Sequence, residues 1–407
     1  MNILIVHNYY KIPGGEDIVV RDEMAMLKKH GHHIFTYFRN NKDIDNLGIV
    51  GKLRLSFDTI FLFKTYKDIK KIIKKHRIEV VHVHNTLPMV SPAVYYAALS
   101  CKVPVVQTVH NFRLLCPAGT LYRDNHVCED CINNGLGCSL KHKCYRGSFA
   151  QTFISVLSMR IHRMMGVYKK INYICLTEFN KNKLLGLSAE AGQFRKSLNP
   201  LGLSDSQIFV KPNFTKEDIS EISIDSDKKK AAGTYIVIGR LEKLKGIDVI
   251  LKAWKILGSS APKLVLCGTG DLEKKAKAYA EKYNLTSVDF KGFVDNSQVK
   301  ELLHFATAMI FAPQWYEGFG IVVAESFMCG TPVIVGDIGN PGMLVTDGFN
   351  GKKFDYNSPE ALAKAIQAFE NMDPEDYQKL SHGAREEYEK YTEDVNYRKL
   401  EEIYKSL

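Results

Sequence analysis

Short apolar runs rich in β-branched residues recur along the chain, each bounded by polar, glycine or proline residues. Those at Ile3–His7, His33–Phe38, Glu79–His84, Val103–His110, Tyr173–Leu176 and Gln207–Lys211 predict strands in the first half. Tyr235–Gly239, Lys263–Cys267, Val288–Phe290, Ala308–Phe311 and Pro332–Val335 predict a second series. The intervening segments carry helical signals. One helix is expected from about Asp17 to a glycine stop at Gly31. Ile247, Ile250, Leu251 and Trp254 fall at i, i+3, i+4 and i+7, one apolar face. Ser358-Pro359-Glu360 opens another helix with a capping serine, a first-turn proline and an acid at the positive end of the dipole. Tyr397, Leu400, Tyr404 and Leu407 mark a closing helix. Strands alternating with helices imply mostly parallel sheets covered on both faces. The expectation is an α/β chain of two Rossmann-like domains, with ligands in the cleft at the carboxyl ends of the strands. The boundaries expected are 1–216, a polar linker at 217–230, a second domain at 231–389 and a C-terminal helix at 390–407.

At 407 residues, 45% hydrophobic and 25% charged, the composition is that of an ordinary globular protein. No apolar run is long enough to span a bilayer, and Met1–His7 has no basic segment before its apolar run. The opening reads as a buried strand and the protein as cytoplasmic, with a peripheral place at the inner face of the membrane left open. The net charge of +10 permits anionic ligands without choosing among them. No aromatic-basic recognition motif accompanies it, so nucleic acid is not expected as a partner. No GxGxxG follows the first strand, which disfavours a nicotinamide dehydrogenase.

The most informative stretch is Glu317-Gly-Phe-Gly-Ile-Val-Val-Ala-Glu325, followed by Ser326 to Gly330 and Thr331 to Val335. It reads as loop, helix, glycine stop and strand. Gly318 and Gly320 sit where the helix begins, so backbone N–H groups and the positive helix end can approach a diphosphate. Glu325 lies roughly 8 Å or more further on, at ~1.5 Å per residue, where a carboxylate can accept from ribose hydroxyls. Glu317 is placed to accept from a sugar on the other side of the diphosphate. Arg240 and Lys245, in Gly239-Arg240-Leu241 to Gly246, are two cations at a strand–helix turn that can neutralise a departing diphosphate without a metal.

These segments resemble glycosyltransferase family 4, the group 1 glycosyl transferases of bacterial surface-polysaccharide synthesis. The matching motifs are Glu317 and Glu325 with Glu-Gly-Phe-Gly between, and Gly239-Arg240-Leu241 with Gly246. Lys211-Pro212-Asn213, Asp347 to Gly351, Pro13-Gly14-Gly15-Glu16 and Val81 to Asn85 also fit. The resemblance implies the GT-B fold, two Rossmann-like domains with parallel sheets facing a cleft and a last helix returning to the first domain. It implies a retaining, hexosyltransferase-type enzyme that moves a sugar from a nucleotide-diphospho-sugar to a saccharide or lipid-linked saccharide. Glu317 would hold the sugar, Glu325 the ribose, and Arg240 and Lys245 the diphosphate. Phe319 belongs to the same donor loop, and the Gly14 and Gly15 backbone would close over the phosphates. One departure stands out: Asn340 and Met343 occupy positions where many relatives carry a glycine and a glutamate. Other readings left open are a phosphorylase, hydrolase or epimerase on the same fold, or a catalytically silent sugar-nucleotide-binding or scaffold protein.

By the same resemblance His110, ending a strand at the cleft edge, is the histidine near the donor sugar. His84 is the better placed for a ligand of the alternating pair His82 and His84, and His82 reads as a core residue. Five of the nine cysteines fall close together, and Cys128, Cys131, Cys138 and Cys144 have a spacing able to wrap a structural zinc, with Cys116 as a substitute ligand. No metal is expected in catalysis. Phe149–Lys170 mixes apolar and basic residues, which suits either a helix on an anionic membrane or one packed on the sheet.

Overall fold

The computed structural model describes residues 1–11, 14–190, 193–196, 201–216 and 224–407. Pro13 of the Pro-Gly-Gly-Glu motif and positions 217–223 of the expected linker lie outside the described residues. The chain divides into two compact units. The first is Met1–Arg123, Cys128–Asn213 and Asn396–Leu407; the second is Phe214–Val395 with Asp124–Val127.

The first unit is built on six parallel strands, β1 (Asn2–Tyr9), β2 (His33–Asn40), β3 (Val80–Val83), β4 (Val105–Val109), β5 (Asn172–Cys175) and β6 (Ile208–Val210). Their order across the sheet is β6-β5-β4-β3-β1-β2, so the direction of winding reverses between β1 and β3. Every residue of β3 is buried, as expected of a central strand covered on both faces. Helices α1 (Gly15–Lys29), α2 (Ile49–Ile60), α3 (Phe63–His76), α4 (Ala93–Ser100) and α5 (Phe149–Met164) supply the cover. Helix α5 buries Thr152, Val156, Met159 and His162 and packs beside α2, while Phe149, Phe153 and Met164 stay exposed. From Asn396 onward the chain's last helix belongs to this unit. There the Asn396 amide donates to Pro212 O at 2.5 Å, and the Tyr404 hydroxyl lies 2.7 Å from His82 Nδ1.

The second unit has β7 (Thr234–Ile238), β8 (Lys263–Cys267), β9 (Val288–Gly292), β10 (Ala308–Phe311), β11 (Val333–Gly336) and β12 (Gly351–Phe354), all parallel. The order is β9-β8-β7-β10-β11-β12. This is the dinucleotide-fold arrangement, with the reversal between β7 and β10. Trp254, on the apolar face of helix α6 (Ile247–Leu257), is fully buried; its indole N–H donates to Pro262 O at 2.9 Å. Strand β12 is an addition to the sequence reading, because Lys352 and Lys353 interrupt any apolar run there.

The charged run Asp227–Lys230, expected to be linker, is helical over Ser226–Ala232. Lys229 is buried and donates to Leu303 O at 3.0 Å and to the Thr331 hydroxyl at 2.8 Å. It thereby joins the Thr331 hydroxyl, which donates to Leu303 O at 2.6 Å, in satisfying the carbonyl end of the helix Asn296–Phe305. Among the described residues no helix is long and apolar enough to cross a membrane.

Candidate active site

In the second unit the reversal between β7 and β10 places two loops side by side. The first runs Gly239–Gly246 after β7; the second runs Ala312–Gly320 after β10 and leads into helix α7 (Ile321–Met328). The loops are tied by Gln314 N–H donating to Leu244 O at 2.9 Å. Gly246 has φ +71°, and a Cβ there would lie 2.0 Å from Ala312 O. Only glycine allows that approach. Gly246→Ala is therefore expected to cost about 2 kcal/mol or more, combining a left-handed residue with a backbone overlap. Urea denaturation of the full chain reads it; a change within ~0.5 kcal/mol contradicts the packing described.

This geometry brings Lys245 and Glu317 together. Lys245 Nζ is 2.5 Å from Glu317 Oε2, and the Trp315 indole N–H donates to the same oxygen at 3.2 Å. Arg240 is not part of this pair: it is largely exposed and meets Glu242 at 3.0 Å. Gly320 caps α7 in a left-handed conformation, φ +88°, and Phe319 beside it is buried. Glu325 lies within α7, and burial raises its carboxyl pKa, opposed by Lys300. The Asn340 side chain donates to both Glu317 O and Gly318 O at 2.6 Å. The departure at Asn340 thus has a structural account: its amide takes over the fixing of the Glu317 loop. Sequence reasoning assigned Asn340 no role; a polar residue within a glycine-rich loop was the available signal.

In the first unit Gly14 caps α1, and its N–H donates to Asp17 Oδ2 at 3.0 Å. A Cβ on Gly14 or Gly15 would meet nothing within 4 Å. His110 follows β4, and its Nε2 lies 3.0 Å from His84 Nδ1. Behind them Glu23 Oε1 is 3.4 Å from His84 Nε2 and 3.1 Å from His82 Nδ1, and Glu23 Oε2 is 3.1 Å from Lys211 Nζ. In the tautomer that carries its proton on Nε2, neutral His84 turns that proton to Glu23, which as a carboxylate only accepts. His84 Nδ1 is then an acceptor, His110 Nε2–H donates to it, and His110 Nδ1 keeps its lone pair. Burial, then the neighbouring His84 and His7, lower the His110 pKa well below the usual imidazole range, so the ring is neutral. His82 is fully buried and its pKa is pushed down to about 3, chiefly by burial. It sits between Tyr404 and Thr108, both at 2.7 Å, as a core residue. His84 and His110 line a cavity of about 340 Å³.

Comparison with known proteins bears on both units. Residues 218–387 match the model of glycosyl transferases group 1, and residues 13–126 match that of glycosyltransferase family 4. The chain is a family 4, group 1 glycosyltransferase. An uncharacterized glycosyltransferase of Methanocaldococcus jannaschii is 23% identical over 419 residues, covering 100% of this chain and 99% of that one. The alpha-monoglucosyldiacylglycerol synthase of Streptococcus pneumoniae is 22% identical, covering 91% and 79%. A Rickettsia africae glycosyltransferase crystal structure superposes with a TM-score of 0.69 at 16% identity, covering 100% and 98%. Anabaena HepE, solved with UDP, gives 0.67 at 16% identity, covering 100% of both chains. These neighbours establish the GT-B fold for the glycosyltransferase.

In this glycosyltransferase Cys131 has Cys116 and Cys144 as electrostatic neighbours. Among the described residues the group of three ligand atoms within 4.8 Å of one another is Glu23, His82 and His84, not Cys128, Cys131, Cys138 and Cys144. Cys131 packs with Leu136, Val156 and Met159, and Cys138 rests against that apolar cluster. Burial, then the neighbouring Cys116, pushes the Cys131 thiol up to about 12. Among the described residues no three of these thiols lie within 4.8 Å of one another, and no step is routed through a metal there. Nor does the Glu23, His82 and His84 group suit a cation, since the Lys211 ammonium already occupies the open side of Glu23.

Proposed function

We propose that this glycosyltransferase moves a hexosyl group from a nucleotide-diphospho-sugar to a saccharide or lipid-linked saccharide, with retention, in surface-polysaccharide synthesis. The observation that carries the reading is the Lys245–Glu317 pair on the two loops flanking the sheet reversal, with the Gly320-capped helix start beside it. Without donor the two charges satisfy each other. With donor, Lys245 and Arg240 turn to the diphosphate, the α7 N-terminus adds backbone N–H groups, and Glu317 accepts from the sugar hydroxyls. Glu325 holds the ribose, Phe319 packs the loop, and the Gly14 and Gly15 backbone approaches the phosphates. The acceptor oxygen forms its bond to the anomeric carbon as the bond from that carbon to the diphosphate oxygen breaks. The acceptor's proton passes to the departing phosphate, and neutral His110 accepts a hydrogen bond through Nδ1 near the reacting sugar. The cations neutralise the leaving group, so this reading calls for no catalytic metal. UDP in the HepE crystals and the glucosyl chemistry in the name of the pneumococcal relative support a sugar-nucleotide donor.

The test is a thermal-shift screen of the full chain against UDP, GDP, ADP, dTDP and CMP and their sugar conjugates. One nucleotide is expected to raise the melting temperature, with a further rise from one conjugate, and Glu325→Gln to weaken that response about tenfold in midpoint concentration. Silence toward every nucleotide would count against the donor site.

A further inference from the structure

The cavity beside His110 is walled by α2, α5 and the loops that follow β3 and β4. Leu55 and Thr59 come from α2, Ile154 and Met159 from α5. Its lining contains no aspartate or glutamate, yet it contains two arginines, Arg113 and Arg146. Both are gathered about one ring: their guanidinium carbons lie 5.2 Å and 5.3 Å from the Tyr145 centroid. Tyr145 is itself fixed, because its N–H donates to the Thr152 hydroxyl at 3.0 Å.

Neither arginine has a carboxylate partner among the described residues. The side chain of Arg113 donates only to Pro117 O, at 3.3 Å, and its backbone N–H to Asn111 Oδ1, at 3.0 Å. Gly119 leaves it room: a Cβ there would come within 3.4 Å of Arg113 Nη2. Glu16 lies within electrostatic reach of Arg113, but burial pushes its carboxyl up to about 8, so it is mostly uncharged at neutral pH. Two cations on an acid-free cavity wall, one of them half-buried, have a free charge-assisted valence. Guanidinium groups match phosphate and carboxylate oxygens as a planar fork.

We infer that this cavity is the acceptor site and that it selects a saccharide acceptor bearing an anionic group, a phosphate or a carboxylate, held by Arg113 and Arg146. The inference rests on the glycosyltransferase reading above and adds the substrate class. The apolar wall from α2 and α5 takes the C–H faces of the sugar or a hydrocarbon aglycone. His84 and His110 line the same cavity, so the anion is bound in the space where the acceptor hydroxyl meets the neutral His110 ring.

The test titrates the full chain by calorimetry at low salt with glucose 6-phosphate, glucuronate and the neutral methyl glucoside. The charged sugars are expected to bind at least about tenfold more tightly than the neutral one, and the tighter of the two names the anion. Arg113→Gln/Arg146→Gln should abolish that preference, and Arg113→Lys/Arg146→Lys, which keeps the charge without the fork, should retain part of it. Arg240→Gln/Lys245→Gln should leave it intact, which separates this cavity from the donor loops. Equal binding of all three sugars by the wild type, or a preference that survives Arg113→Gln/Arg146→Gln, overturns the inference. The nucleotide thermal shift is measured on the same proteins. If it persists while the sugar preference fails, the acceptor assignment falls and the donor reading stands; if it too is missing from the wild type, the donor reading falls.

Discussion

Glu317→Gln is expected to lower turnover by about 10²- to 10³-fold while changing nucleotide-sugar affinity by less than about tenfold, the range seen when one aimed polar contact to a transition state is removed. The reason lies in how the carboxylate is held. Glu317 Oε2 receives the Lys245 ammonium at 2.5 Å and the Trp315 indole at 3.2 Å, while Asn340 grips the backbone of the same residue through Glu317 O. With donor bound Lys245 turns to the diphosphate, but Trp315 and Asn340 still set the position, glutamine leaves both in place, and shape is conserved. What changes is charge at the point where positive character develops on the anomeric carbon, felt far more in the transition state than in the bound donor. The assay is acceptor-dependent release of nucleoside diphosphate, or donor hydrolysis without acceptor, beside calorimetric donor binding. Unchanged turnover would remove Glu317 from the sugar site. A loss confined to donor affinity would make it a binding residue only.

Much of this arrangement was legible in the chain because it obeys local rules. The β7 and β10 strands are short β-branched runs, and Gly239 to Gly246 and Glu317 to Glu325 lie at their carboxyl ends, where an open parallel sheet binds ligands. What escaped was residues whose role is set by distant partners. Strand β12 carries two lysines and joins the sheet by pairing with β11, with no apolar pattern of its own. Lys229 lies in a run of charges that reads as solvated, yet it is buried against carbonyls 74 residues away. Asn340 looked like a defect in a family pattern and proves to be a brace. Cysteine spacing likewise carries no packing information, and the fold sets Cys131 and Cys138 against an apolar cluster.

Lys211 makes the same point with the largest expected effect on stability. In the sequence it was one letter of a Lys-Pro-Asn match at a strand end. In the structure it is almost fully buried, with Nζ 3.1 Å from Glu23 Oε2 and 2.8 Å from Asn396 Oδ1. It joins α1, the end of β6 and the last helix at one point, directly behind the row of His82, His84 and His110. Burial alone would raise the Glu23 pKa, but the Lys211 ammonium outweighs it and holds the carboxyl well below the usual carboxylate range. Lys211→Met leaves that carboxylate buried without its cation and is expected to cost about 3–5 kcal/mol. The loss should be read from the urea transition of the first unit, since two units need not unfold together. Adding Glu23→Leu to Lys211→Met should recover much of it, because the second change removes the stranded charge. The pH dependence has a definite sign. A depressed carboxyl stabilises the fold above its unfolded pKa and loses that stability as pH falls through the folded value. In Lys211→Met the acid-side decline should therefore begin at higher pH than in the wild type. A Lys211→Met protein within ~1 kcal/mol of the wild type, with the same acid limb, would mean that the ammonium does not hold this junction.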